Sequence, residues 1–291
     1  MIVRSLFTIF VLAAMFARPG SSLAQTSLTA ARQAGAIVPA EGPRLAGYAD
    51  GAWEGVNAVY QCPQFVATLR TNLTLFVQPI DNGTNAGAAI EFRFGASYTD
   101  PRLANKRNPN VARRVVSLKN PPPPTLRASK IRLQGKLEDD VDFDCQISFL
   151  ANKATIQCKF RDPKNQSYRT RFACVAEVNR LRIPDTLPLD EQARLMPGWK
   201  LQITKTQGEK LEVPYHRAVG LEAGTIGARE LQAKGPWGKR MVTLSSEGED
   251  KKAGGAYFRH YPAYAPHHGY HLIWHLRNAD SKWRGFTIAV Q

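Results

Sequence analysis

The feature that most constrains the fold is a regular alternation of apolar and polar residues from Val141 to Leu150. Apolar side chains recur there at every second position, which is the spacing of a strand that buries one face. Ala151-Asn152 follows as a tight turn, and Lys153–Phe160 continues as a returning strand. The pattern therefore predicts a β-hairpin whose buried face is formed by Val141, Phe143, Cys145, Ile147 and Phe149.

The same hairpin predicts a disulfide. If Leu150 pairs with Lys153 across the turn, the register places Cys145 directly opposite Cys158. Counting outward from the turn makes them a non-hydrogen-bonded pair, in which the Cα atoms lie about 4.5 Å apart. That separation is within the range of a disulfide, so we expect a Cys145–Cys158 bridge.

Cys62 and Cys174 are the other two of the four cysteines, and we expect them to form a second, longer-range bridge. The alternative is that Cys174 faces Cys158 across the turn at 162–168. An even number of cysteines fits an oxidising compartment. No Cys-x-x-Cys occurs, which argues against a redox centre, a zinc ribbon and covalent haem attachment.

The N-terminus predicts export. Residues 1–24 combine a basic start ending at Arg4, an apolar run from Leu6 to Ala17 and small residues up to Ala24, which together are typical of a cleaved signal peptide. The apolar run is about a dozen residues, whereas a helix needs about 20 to span a bilayer. We therefore expect cleavage before Gln25 and a mature chain, periplasmic or extracellular, without a transmembrane segment.

Short strands separated by turn signals dominate the remaining chain and predict a mainly β fold of two β-sandwich or jelly-roll-like domains. We expect a leader segment at 25–48, a basic, disulfide-bearing domain at 49–183, a linker at 184–198 with one short helix, and a second β-rich domain at 199–291. The helix is predicted at Asp190–Leu195, with Asp190 as its cap. The predicted strands are Asn57–Tyr60, Thr68–Gln78, Ala88–Phe94, Val111–Leu118, Leu126–Leu137, Val141–Leu150, Ala154–Phe160, Ser167–Val178, Lys200–Thr204, Lys210–Val213, Met241–Leu244, Tyr270–Arg277 and Arg284–Val290.

The charge of the chain is strongly positive and unevenly placed. The formal net charge is +15, and it becomes 15 − 2 = +13 when Arg4 and Arg18 leave with the signal. Such a balance favours acidic polysaccharide or envelope polymer as a partner, and export makes nucleic acid a less suitable one. Ten basic residues lie between Asp100 and Glu138 without an acidic one, and Glu138, Asp139, Asp140, Asp142 and Asp144 follow. We expect these neighbours to neutralise each other across adjacent strands, rather than to form a polyanion groove.

The segment Ala256–His275 is the most unusual of the chain. It holds five of the six histidines and six aromatic residues. Flat aromatic faces offer area for stacking on sugar rings, and histidine and arginine add directional hydrogen bonds. The segment therefore predicts a carbohydrate-binding surface, formed by Tyr257, Arg259, Tyr261, Tyr264, Tyr270 and Trp274.

Metal sites are a separate hypothesis. If Tyr270–Arg277 is a strand, as Tyr, Ile and Trp favour, His271 and His275 lie about 13 Å apart and cannot bind one metal together. A transition metal would then need His267 or His268 to fold back over His271, and His260 could add a further ligand. If the segment is a helix instead, His268, His271 and His275 line one face and could bind a metal. Asp140, Asp142 and Asp144 alternate along a strand and could bind calcium or act as catalytic carboxylates. The simpler alternative is that these histidines and aspartates have only a structural role, in which case the protein needs no cofactor.

No nucleophile elbow, zinc-protease motif, phosphate loop or dinucleotide fingerprint occurs, which weighs against an enzyme. We therefore expect an exported binding protein that contacts an acidic glycan or cell-envelope polymer. One alternative is a secreted hydrolase, whose acid/base chemistry would use His271 or His260 with a carboxylate, or a metal held by histidine. The other is a structural envelope protein without catalytic activity.

Overall fold

The computed structural model describes residues 56–87, 89–100, 102, 110–119, 122–123, 125–162, 171–178, 187–217, 228–247, 256–262, 270–276 and 283–291. Nearly all of their regular structure is β, which confirms the predicted fold class. The elements are β1 Val56–Gln61, β2 Phe65–Arg70, β3 Thr74–Asp81, β4 Thr84–Asn85, β5 Ile90–Thr99, β6 Asn110–Ala112, β7 Val115–Leu118, β8 Thr125–Leu126, β9 Lys130–Leu137, β10 Asp142–Leu150, β11 Lys153–Arg161, β12 Arg171–Val178, α1 Leu189–Leu195, β13 Lys200–Lys205, β14 Lys210–Pro214, β15 Ala228–Lys234, β16 Met241–Glu247, β17 Ala256–Pro262, β18 Tyr270–Leu276 and β19 Arg284–Val290.

The strands form two layers that pack face to face. The first layer has the order β8–β1–β2–β3–β5–β12–β18–β17. The second layer has the order β7–β9–β10–β11–β19–β16–β15–β13–β14. Aromatic pairs join the layers across the core: the Tyr60 ring stacks on Phe149 with centroids 5.0 Å apart, and Phe94 meets Phe286 edge-on at 6.3 Å. The arrangement is a β-sandwich.

The β10–β11 hairpin has the predicted register throughout, and every second residue of β10 is buried as predicted. Ala151 makes the tight turn in the left-handed region, at φ 50°. Cys145 and Cys158 are joined by a disulfide, with Cα atoms 4.1 Å apart. The predicted bridge is therefore confirmed, and the alternative pairing of Cys158 with Cys174 is excluded.

The second predicted bridge, Cys62–Cys174, is not formed, because Cys62 carries a free, half-buried thiol. The register of the first layer explains this. Cys62 lies beside the start of β2, at the level where β2 pairs with Pro79 of β3. Cys174 pairs with Phe94, which lies past the other end of β3, at Thr74. Four strand spacings of about 4.8 Å, and several residues of about 3.3 Å along the strands, separate the two backbones. A disulfide cannot bridge that separation.

Strands from both halves of the chain share the two layers. β11 pairs with β19 and β12 pairs with β18. One cluster of buried apolar residues also draws on both halves, including Phe92 and Ile156 from the first and Leu201 and Trp237 from the second. The segment 184–198, predicted as a boundary between two β-domains, is thus a connection between strands of shared sheets. Local composition does not reveal pairing between strands that are distant in the sequence.

The short helix in that connection is present as α1. Pro188, and not the predicted Asp190, occupies its N-cap, and no side chain caps it. Asp190 and Glu191 lie in the first turn, where negative charge favours the helix dipole. Gln192 is buried and donates from Nε2 to the Leu187 carbonyl oxygen at 2.8 Å. No helix of the described residues has the length and apolar character to cross a membrane.

Several strand predictions need correction. Thr68–Gln78 is two strands, β2 and β3, because Leu73 turns the chain in the left-handed region at φ 63°. The sequence does not reveal this turn, since leucine rarely adopts that conformation. Val111–Leu118 and Leu126–Leu137 are also divided, into β6 with β7 and β8 with β9. The prediction missed β4, β15 and β17; β15 has the composition of a helix, and pairing on both sides overrides that preference.

Candidate functional site

The candidate site lies on the outer face of the first layer, which we call the first-layer face. Burial alternates along β5: Phe92 and Phe94 face the core, whereas Glu91 and Arg93 keep 21% and 52% of their side chains exposed. Directly paired residues occupy the same face of a sheet. The register therefore assigns positions on β12, β18 and β17 to the same face as Glu91 and Arg93.

One row of paired positions crosses five strands of this face. Glu91 pairs with Phe76 on one side and with Glu177 on the other. Glu177 pairs in turn with His271, and His271 with Tyr261. At about 4.8 Å per strand, the row spans about 19 Å. This Phe76–Tyr261 row places two acidic residues and a histidine between two aromatic residues.

Positively charged residues flank the row. Arg93 lies in the neighbouring row, with Nε 3.7 Å from Oε1 of Glu91. Arg259 occupies the same neighbouring row on β17, through the pairings of Val175 and Ile273. At the β2 end, the guanidinium of Arg70 lies over the Phe76 ring, 5.1 Å from its centroid. The face thus combines aromatic, acidic and basic positions.

Three of the predicted ligand-binding residues lie at positions of the first-layer face. Tyr261 belongs to the Phe76–Tyr261 row, Arg259 to the next row, and Tyr257 to the row after that, where it pairs with His275. All three are on β17, a strand that was not among the predicted strands. Pro262 forms the last residue of the strand, a position at which proline is tolerated.

The other predicted ligand-binding residues do not belong to this face. Trp274 pairs with Cys174, which pairs with the buried Phe94, so its position is on the core face. Tyr270 is an even number of residues from Trp274 on β18 and shares that face. The six predicted residues therefore do not form one surface. Tyr264 lies outside the described residues.

The register also separates the predicted metal ligands. His271 is on the first-layer face, whereas His260 pairs with Leu272 on the opposite face. His267 and His268 lie outside the described residues. His260 and His271, two of the four predicted metal ligands, therefore occupy positions on opposite faces of the sheet. Among the side chains that the structure describes, no group of three His, Cys, Asp or Glu is arranged to hold a metal ion.

The acidic residues around β10 are engaged by basic neighbours. Arg132 donates from Nε to Oδ1 of Asp144 at 2.8 Å, and this hydrogen bond holds the pKa of the Asp144 carboxyl below its ordinary value. Asp142 lies 3.9 Å from Nζ of Lys136. The predicted neutralisation across adjacent strands is confirmed, and it leaves little support for calcium at Asp140, Asp142 and Asp144. Two more pairs complete the network, Arg114–Glu138 at 2.7 Å and Arg113–Asp139 at 3.5 Å.

Sequence reasoning missed Phe76, Glu91 and Glu177. The sequence does indicate that Glu91 faces solvent. Ile90, Phe92 and Phe94 alternate along the strand as apolar residues, and Glu91 lies between two of them at a position that points the other way. Nothing local marks Glu177 as a neighbour of His271. That relationship depends on a strand pairing between distant segments.

No family model and no curated protein matches the chain. Solved structures with related folds include a protein provisionally named an aldose 1-epimerase from Escherichia coli K12, with 6% identity and a TM-score of 0.44 over 81% of this chain and 98% of that one. A galactose mutarotase related enzyme from Lactobacillus acidophilus has 8% identity and a TM-score of 0.35 over 80% and 96%. A protein of Synechocystis sp. PCC 6803 has 9% identity and a TM-score of 0.39 over 80% and 97%. At these identities and TM-scores, the similarities give no information about the ligand or the chemistry of this chain.

Proposed function

We propose that the protein is an exported carbohydrate-binding protein that contacts a glycan through the first-layer face. The Phe76–Tyr261 row carries the proposal. Aromatic residues at its ends offer stacking area for sugar rings, and the acidic residues and histidine between them hydrogen-bond to sugar hydroxyls. A length of about 19 Å accommodates several sugar units along a chain.

Charge and covalent structure support two further parts of the proposal. Arg93 and Arg259, in the row beside the Phe76–Tyr261 row, favour a glycan with acidic groups. The Cys145–Cys158 disulfide is typical of a protein that works in an oxidising compartment. That compartment agrees with the signal peptide expected at residues 1–24.

A glycan array probed with the mature chain tests the proposal. We expect binding to one group of glycans, and we expect Tyr261→Ala and Tyr257→Ala each to weaken it at least about tenfold, as loss of an aromatic anchor does. Leu189→Ala is the control, because Leu189 is an exposed apolar residue on α1, outside both layers. Equal loss in all three variants, or loss in none, would refute the first-layer face as the binding site.

Hydrolysis of a glycosidic bond is a second candidate function, favoured by the direct pairing of Glu177 with His271. In this reaction Glu177 would donate a proton to the leaving oxygen, and neutral His271 would accept one from the attacking water. Release of reducing ends from bound glycans would support it, provided that Glu177→Gln abolishes release and retains binding. Absence of both binding and release would favour a structural role in the cell envelope.

A further inference from the structure

The outer face of the second layer differs from the first-layer face in composition. It is formed by the positions of β9, β10, β11 and β19 that point away from the disulfide and the core, and we call it the second-layer face. Six basic residues and two acidic residues occupy its β9, β10 and β11 positions. The basic residues are Lys130, Arg132, Lys136, Lys153, Lys159 and Arg161.

Carboxylates neutralise only part of this charge. Arg132 and Lys136 form ion pairs with Asp144 and Asp142. Lys130 lies opposite Ser148, and Lys153 lies between Leu150 and Ala289, so neither has an acidic residue directly across from it among the described strands. Lys159 and Arg161 are exposed and lie opposite Asp144 and Asp142, the same two carboxylates that already pair with Arg132 and Lys136. Six basic residues therefore share two acidic ones, and the face keeps an excess of four positive charges.

The basic residues surround a flat, uncharged strip. Gln146 pairs with Gln157, and Ser148 pairs with Thr155. Thr155 reaches the next strand, with its Oγ1 2.9 Å from Oγ1 of Thr287. Beside Gln157 the sheet has Gly285, at which a Cβ would lie only 2.2 Å from the Ile156 carbonyl oxygen. The strip itself presents hydroxyl and amide groups, and the exposed apolar side chains of Leu150 and Trp283 border it.

We propose that the second-layer face binds an anionic polysaccharide with carboxylate groups, in addition to the glycan contact of the first-layer face. The inference rests on the proposed function, because it takes a glycan as the ligand. It adds a second binding surface and the requirement that the glycan carries negative charge. Lys153 and Lys159 are six residues apart on β11, about 20 Å, and Lys130 lies two strands across and two residues along from Lys153, about 12 Å. Such spread charges match a polymer that carries an acid on successive sugars. The uncharged strip between them supplies hydrogen bonds to sugar hydroxyls.

The test uses sodium polygalacturonate as the anionic glycan and dextran as the neutral one, with the mature full-length chain. The face variant is Lys153→Gln/Lys159→Gln/Arg161→Gln. The control variant, Lys119→Gln/Lys239→Gln/Arg217→Gln, removes the same charge from exposed residues outside the face. We expect the face variant to bind polygalacturonate at least about tenfold more weakly and the control variant to change less than about twofold.

The results separate this inference from the proposed function. If Tyr261→Ala abolishes polygalacturonate binding and the face variant keeps it, the proposed function holds and the second-layer face is not the site. If both triple variants lose affinity equally, binding reflects net charge, and the inference fails. Duplex DNA and vesicles with anionic lipid serve as competitors. Displacement of polygalacturonate by either one at equal charge concentration would overturn a specific glycan site.

Discussion

Glu177 and His271 are directly paired residues on β12 and β18, although they are distant in the sequence. Directly paired residues occupy neighbouring positions on one face of a sheet, so the register puts an acidic position beside a histidine position at the centre of the Phe76–Tyr261 row. Glu91 extends the acidic part of the row on the far side of Glu177. The row is therefore the part of the molecule where substitutions test function most directly.

Substitution of Glu177 tests the centre of the row. Glu177→Gln keeps the size of the side chain and removes its charge, and we expect glycan affinity to fall about fivefold to tenfold, as for loss of a charged hydrogen-bond partner. Isothermal titration with the best ligand from the array measures this. Glu209→Gln is the control, because Glu209 forms a surface ion pair with Lys205 at 2.8 Å. An unchanged affinity for Glu177→Gln would show that the charge of this carboxylate does not contribute to glycan binding.

The Cys145–Cys158 bridge is expected to stabilise the sandwich. The two residues are separated by 13 positions, and closing a loop of this size in the unfolded chain contributes about 3 kcal/mol. We expect Cys145→Ala/Cys158→Ala to lower the free energy of unfolding by about 2 to 3 kcal/mol in urea titrations. Cys62→Ala, which removes a free thiol, is the control and should change it by less than about 1 kcal/mol. Equal losses would contradict a stabilising role for the bridge.

The β10–β11 hairpin could be predicted because the residues that specify it are close together in the sequence. The alternation around Cys145, the short turn and the opposed cysteine determine the register without reference to the rest of the chain. Arg284–Val290 was predicted with its observed bounds for the same reason, as an apolar run with β-branched residues. The strand containing Tyr257 and Tyr261 was missed because its residues pair with β18 and do not show alternation in an isolated segment.

The candidate site was predictable only in part. Tyr257, Arg259 and Tyr261 were identified by composition, which reports residue types and not faces. Composition also grouped Tyr270 and Trp274 with them, whereas the register places these two on the core face. The acidic partners Glu91 and Glu177 come from other strands, and pairing of distant segments is a tertiary property.

Arg113 is expected to be important for stability. Its side chain is fully buried, 3.5 Å from Asp139 and 3.8 Å from Asp162, and its guanidinium lies over the Tyr98 ring at 4.5 Å. Arg113→Met leaves these carboxylates without their buried cation, and we expect a loss of about 3 kcal/mol in the free energy of unfolding. Arg114→Met is the matched control, since Arg114 is largely exposed and its pair with Glu138 contributes less than about 1 kcal/mol. A smaller effect for Arg113 than for Arg114 would contradict this role.

The Arg132–Asp144 pair is expected to make stability depend on pH. The hydrogen bond from Arg132 lowers the pKa of the Asp144 carboxyl in the folded chain. A carboxyl whose pKa is lower folded than unfolded stabilises the fold above its unfolded pKa, and this stabilisation is lost as pH falls through the folded pKa. Arg132→Gln should therefore reduce the free energy of unfolding only slightly at pH 7, because Arg132 is more than half exposed and water screens the pair.

That difference should shrink as pH falls below about 4, the ordinary pKa of an aspartate, because the unfolded chain then takes up a proton that folded wild type binds only at lower pH. Urea titrations of both chains from neutral to acidic pH measure the change. Lys136→Gln is the control, because its Nζ is 3.9 Å from Asp142, too far for a hydrogen bond. We expect its effect to be smaller at every pH. A difference between wild type and Arg132→Gln that stays constant down to about pH 3 would show that Arg132 acts through packing and not through the charge of Asp144.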